Sequence, residues 1–128
     1  MTRDEFIAEY YKVSAKTVHL SKRTRREGLL AIEDAIDFDK LKQRDIFELG
    51  LRLSVDGIAH ETIKEILSNI ILQEKDEYTR RIMEIKMAAI LSIHNGDSTL
   101  ITAYKMNSFT DIVFTDDQTI EIEYWCNK

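Results

Sequence analysis

The run from Ala59 to Asp97, AHETIKEILSNIILQEKDEYTRRIMEIKMAAILSIHNGD, decides the fold class. Ile63, Ile66, Leu67, Ile70 and Ile71 recur at intervals of three and four, and Ile82, Ile85, Ala89 and Ile93 take up the pattern again. That spacing lines one face of a helix with apolar side chains. It predicts helix from Ala59–Glu61 to about His94, exposed or broken at the polar stretch Gln73-Glu74-Lys75-Asp76-Glu77. Asn95-Gly96 is a stop signal, and Asp97 or Ser98 offers the cap of a short further helix to about Ser108.

Upstream, Asp56-Gly57 ends a helix that starts near Lys40, where Asp37-Phe38-Asp39 supplies N-cap chemistry. Ile46, Leu49, Gly50 and Leu53 form one face of it, and Phe47, Leu51 and Val55 form another. A helix apolar on two faces belongs in the core. From Asp4 to Asp37 there is no proline and one glycine, Gly28, so a first helix is expected with a bend there. A helical glycine costs about 1 kcal/mol relative to alanine. Val18, Leu29, Ile32 and Ile36 would share one stripe, with Lys22 and Arg25 along the same row. Downstream the character changes. Ile112-Val113-Phe114 and Thr119 to Trp125 are β-branched and aromatic around Asp116-Asp117-Gln118, which is a hairpin signal. The expected architecture is mainly α: one small domain over residues 1–128, with three to four helices and a C-terminal β-hairpin over 110–128. Because an isolated hairpin is marginal in water, it is expected to dock on the helices or to pair two copies as a homodimer.

Composition narrows the function classes. A hydrophobic fraction of 44% with 32% charged residues fits a folded, soluble chain. The best apolar run, Ile66 to Leu72, contains Ser68 and Asn69, and a membrane helix needs about 20 apolar residues. No span and no secretory signal are therefore expected. The single Cys126 excludes an internal disulfide and fits a reducing compartment. A net charge of −5 argues against nucleic acid as a partner. The charge is uneven, with Arg3, Lys12, Lys16, Lys22, Arg23, Arg25 and Arg26 near the start and five acids between Asp111 and Glu123.

No motif carries catalysis. His60-Glu61-Thr62-Ile63-Lys64 opens like a zinc-protease helix, but Lys64 stands where the second imidazole must be. His19, His60 and His94 are tens of residues apart and read as surface or capping histidines. Gly57 and Gly96 lie in no phosphate-binding pattern, Cys126 has no base placed beside it, and Asp116-Asp117 reads as a solvated turn. The expectation is a protein that is not an enzyme, with no catalytic, cofactor-binding or metal-ligating residues. The one concentrated basic element is Lys22-Arg23-Thr24-Arg25-Arg26.

That element opens the stretch Leu20 to Glu33, which resembles the cytoplasmic segment of the flagellar motor stator family MotA, typically "ARREGLLALE". Gly50 to Gly57, GLRLSVDG, resembles the family's "GLxLVVDG", and Glu61 to Leu67 its following acidic helix. Met87 to Asp97 resembles "GILSIQAGEN", the element after the last membrane helix, and Lys105 to Phe109 resembles "EEKLxSF". The likeness covers roughly residues 20–109 in the family's order, with the blocks joined through Ile71 to Ile82 and no membrane helices between. Without membrane-embedded walls this stretch cannot conduct ions.

The resemblance implies a free-standing MotA-like interaction protein in the bacterial cytoplasm, at the cytoplasmic face of the flagellar motor. It would act there as an accessory or modulator that binds rotor or stator proteins, FliG-like or MotA/MotB-like. The alternative is a helical adaptor unrelated to motility. Carried over by position, the rotor-facing charges are Arg25 and Glu33, with Arg26 placed to bridge to Glu33 or to join the interface. On a continuous helix Arg25 and Glu33 would lie about 80° apart.

Overall fold

Thr2 starts the first helix with a reciprocal cap: its hydroxyl accepts the Glu5 N–H at 3.2 Å, and the Glu5 carboxylate accepts the Thr2 N–H at 3.4 Å. In the computed structural model, which describes residues 1–113, helix α1 then runs Arg3–Glu27. It does not continue through Gly28. There φ is 89° and ψ 165°, a combination that only glycine adopts without strain. The chain turns and forms a 3₁₀ segment, Leu29–Ala35. The apolar residues assigned to one long stripe are thus split between two elements. α1 buries Phe6, Tyr10, Val13 and Leu20, while Ile32 and Ile36 reach the core from the folded-back segment.

The second expected helix is also two. α2, Phe38–Lys42, is capped by Asp37, and α3, Ile46–Val55, is capped by Asp45, whose carboxylate accepts the Glu48 N–H. Between them Arg44 sits at φ 60°, and the Asp45 N–H returns to the Lys40 carbonyl at 3.1 Å. This is a left-handed helix stop of the type usually made by glycine, here carried by an arginine. The third expected helix is broken at its polar middle into α4, His60–Ile71, and α5, Glu77–His94, the latter capped by Asp76. Ser98 caps α6, Thr99–Asn107.

α5 is the axis, packing against α1, α3, α4 and α6. α3 runs beside it in the same direction, since Asp45 meets Lys86 at one end and Gly50 meets Ile90 further along. A Cβ on Gly50 would come within 2.7 Å of Ile90 Cγ2, so this residue sets how closely the two helices approach. α4 runs back the other way, with Ser68 against Met87 and His60 against His94. The larger core gathers α1, the 3₁₀ segment, α3, α5 and α6, including Phe6, Ile32, Leu51 and Ile85. A second cluster of Ile46, Ile63, Leu67 and Ile71 joins α3 to α4. Of the two leucines assigned to the central helix, Leu51 is wholly buried, whereas Leu53 is half-buried against the second cluster.

The mainly α expectation holds, but three to four helices become six α-helices and one 3₁₀ segment, with no strand among the described residues. The hairpin is therefore corrected. Ile112 and Val113, which would open it, have no strand partner. The Ile112 N–H bonds to Thr110 Oγ1, its carbonyl accepts the Asn107 side chain, and its side chain packs on the core. Those bonds tie it to the end of α6 in place of a ladder. The remaining hairpin positions, from Phe114 to Trp125, lie outside the described residues. No helix among the described residues is long and apolar enough to cross a membrane.

Candidate protein-interaction surface

The break at Gly28 determines how the charges of the first block are displayed. Arg23 fastens the 3₁₀ segment to α1. Its guanidinium grips Asp34 through two nitrogens at 2.7 and 2.8 Å, donates to the Ala31 carbonyl at 2.6 Å, and pairs with Glu27 at 3.0 Å. Parallel bonds of this kind fix orientation as well as distance. The Asp34 and Glu27 hydrogen bonds push the Arg23 pKa up, and the Arg23 bond holds Asp34 below its ordinary value.

From below, the segment is held by a buried carboxylate. Glu48 of α3 is 1% exposed; one oxygen takes the Lys16 ammonium and the other accepts the Asp37 N–H at 3.1 Å. Lys16 also lies over the Phe47 ring, 4.7 Å from its centroid. A buried charge needs such pairing to persist. Glu48 thereby connects α1, α3 and the start of α2. Next to it, Asp45 accepts from Lys86 of α5 at 2.7 Å. Burial works against the Asp45 charge, but the Lys86 bond and charge with the Glu48 N–H hold its pKa below the usual value.

On this support Arg25, Arg26 and Glu33 are all exposed. They do not share one helix, so the 80° relation does not apply. Arg25 reaches across to the α5–α6 turn and donates to the Gly96 carbonyl at 3.0 Å. Arg26 and Glu33 do not bridge each other, and neither has an ion pair among the described residues. Leu30, in the same segment as Glu33, is 73% exposed. Two arginines, one glutamate and an apolar side chain are thus exposed on either side of the turn at Gly28, where Arg23 ties the 3₁₀ segment to α1. Neither Arg23 nor Glu48 was singled out by sequence. Arg23 was visible only as part of a basic run, and nothing marks Glu48 as buried except its place on a helix apolar around it.

Among the described residues, no three His, Cys, Asp or Glu side chains gather closely enough to hold a metal ion. The reading of surface or capping histidines separated along the chain does not foresee that two of them meet. His19 is exposed, but His60 and His94 meet, half-buried, with ring centroids 5.9 Å apart.

Over 74 residues the chain is 36% identical to Motility protein A of Treponema phagedenis. The match takes in 57% of this chain and 27% of that protein, so the chain corresponds to about a quarter of its relative. Over that stretch the chain is similar to Motility protein A. No family model and no solved structure matches.

Proposed function

We propose that this chain is a non-enzymatic MotA-like interaction module that docks on a flagellar rotor or stator protein and acts as a motor accessory. The observation that carries the proposal is the similarity to Motility protein A. The arrangement around Gly28 supports it, because Arg25 and Glu33, the charges that the resemblance carries over, and the neighbouring Arg26 are exposed while Arg23 ties the 3₁₀ segment to α1. Charges at the rim of an interface steer encounter and fix register. Leu30 would supply the desolvated contact between them.

The test is a surface-binding measurement of the full chain against purified FliG-type rotor protein and MotA/MotB-type stator protein. Saturable binding to one of them, with an association rate that falls as salt is raised, is the expected result. A charge reversal on the partner should be compensated by reversal of Arg25 or Glu33. No binding to any motor protein would transfer the chain to the class of helical adaptors outside motility.

A further inference from the structure

Three buried polar side-chain atoms at one end of the α3–α4–α5 layer have no hydrogen-bond partner: Ser54 Oγ, His60 Nδ1 and His94 Nδ1. His60 opens α4 and His94 closes α5, and the antiparallel pairing of these helices brings the rings together, 5.9 Å between centroids and tilted by 44°. Ser54 lies one turn beyond Gly50, and Gly50 touches Ile90, one turn before His94. The shared direction of α3 and α5 thus sets Ser54 at the level of the two rings. Buried polar atoms are nearly always satisfied, so the two orphaned imidazole nitrogens of this ring pair ask for a polar partner.

We infer that His60 and His94 form a site for a single divalent transition-metal ion, with two imidazole donors and water in the remaining positions. An ion bound at about 2.0–2.1 Å by two imidazole nitrogens separates the ring centres by about 5–6.5 Å, and the observed spacing falls inside that range. Imidazole suits zinc, nickel and copper, with copper bound most tightly in the divalent series. Ligating imidazoles must be neutral. Burial and the neighbouring His60 push the His94 pKa down. With only two protein ligands the site belongs to a weaker class than three- or four-ligand centres, and it is independent of the motor reading.

The experiment titrates the full chain, carrying Cys126→Ser to remove the thiol as a competitor, with Ni2+ or Zn2+ at pH 7.5 by calorimetry. One equivalent should bind in the micromolar range and raise the thermal midpoint, since a ligand of the folded state stabilises it. His60→Gln and His94→Gln should each weaken binding by about tenfold or more, and His19→Gln should leave it unchanged. Paramagnetic resonance of bound Cu2+ should show two coupled nitrogens in the parent and one in each single variant, a readout that does not depend on stability. Absence of a stoichiometric site, or binding that survives both substitutions, overturns the inference, and so does a parent copper spectrum without two nitrogens.

Discussion

Two glycines divide the labour of this fold in opposite ways. Gly50 sits inside α3 and matters for what it lacks, because a Cβ there would strike Ile90 at 2.7 Å. Gly28 has open space where a Cβ would go and matters for its backbone, φ 89°. Around Gly50 the structure is held by packing: Leu51, Ile85 and Ile90 are essentially wholly buried. Around Gly28 it is held by polar ties from Arg23 and Glu48, and the segment shows Leu30 and Glu33 to solvent. The first region supplies stability. The second spends some of its burial to keep a charged surface in one shape.

Core truncation should give the largest effect. Leu51→Ala is expected to destabilise by about 2–5 kcal/mol, with Leu53→Ala well below it because that side chain is only half-buried. Denaturant midpoints of the two variants check this, and equal losses would mean that α3 is rotated from the described position.

The glycines themselves come next. Gly50→Ala should cost about 1–3 kcal/mol through overpacking, and Gly28→Ala a similar amount, about 1–3 kcal/mol, through backbone strain alone. Hydrogen exchange separates them. Faster exchange should be confined to the 3₁₀ segment and α2 in Gly28→Ala, but should spread through α3 and α5 in Gly50→Ala. The same pattern in both would erase the distinction between a packed and a tethered region.

The difference between the two regions also explains how much was legible in sequence. The three- and four-residue spacing of isoleucines gave the helical class directly, and Asp56-Gly57 and Asn95-Gly96 end their helices as expected. Arg44 did not announce itself, because a left-handed arginine leaves no compositional mark, so α2 and α3 were joined into one helix. The bend at Gly28 was expected, but its sharpness depends on a φ/ψ pair that sequence does not fix and on Arg23 finding Asp34 after the turn. The β-branched tail suggested strands, yet at its start Ile112 is captured by the nearby side chains of Asn107 and Thr110 and packs on the core, which overrides its strand propensity. Arg25, Arg26 and Glu33 are exposed. Their support was invisible, because an ion pair with one buried partner, such as Lys16–Glu48, has the same sequence appearance as two surface charges. The meeting of His60 with His94 likewise needed the antiparallel pairing of α4 and α5.

A smaller effect distinguishes the two regions by pH. The ordinary value for Asp45 is near 3.8 and its folded value is lower, so the folded state favours the ionised form. Its contribution is fully present above the unfolded value and is lost as pH falls through the folded one. Thermal midpoints measured from pH 5 downward should fall less steeply in Asp45→Asn than in the parent. An unchanged slope would mean that Lys86 does not hold Asp45 in solution.

The smallest expected change in stability accompanies the largest expected change in function. Arg25→Glu and Glu33→Lys should each shift unfolding by less than about 0.5 kcal/mol, as exposed substitutions do, although Arg25 gives up its bond to Gly96. The most direct test of the account is the binding of these two folded variants to the rotor or stator protein that the parent recognises. The account predicts slower association for both, a loss that fades at high salt, and recovery when the partner's opposing charge is reversed. Parent-like binding by both variants would contradict it.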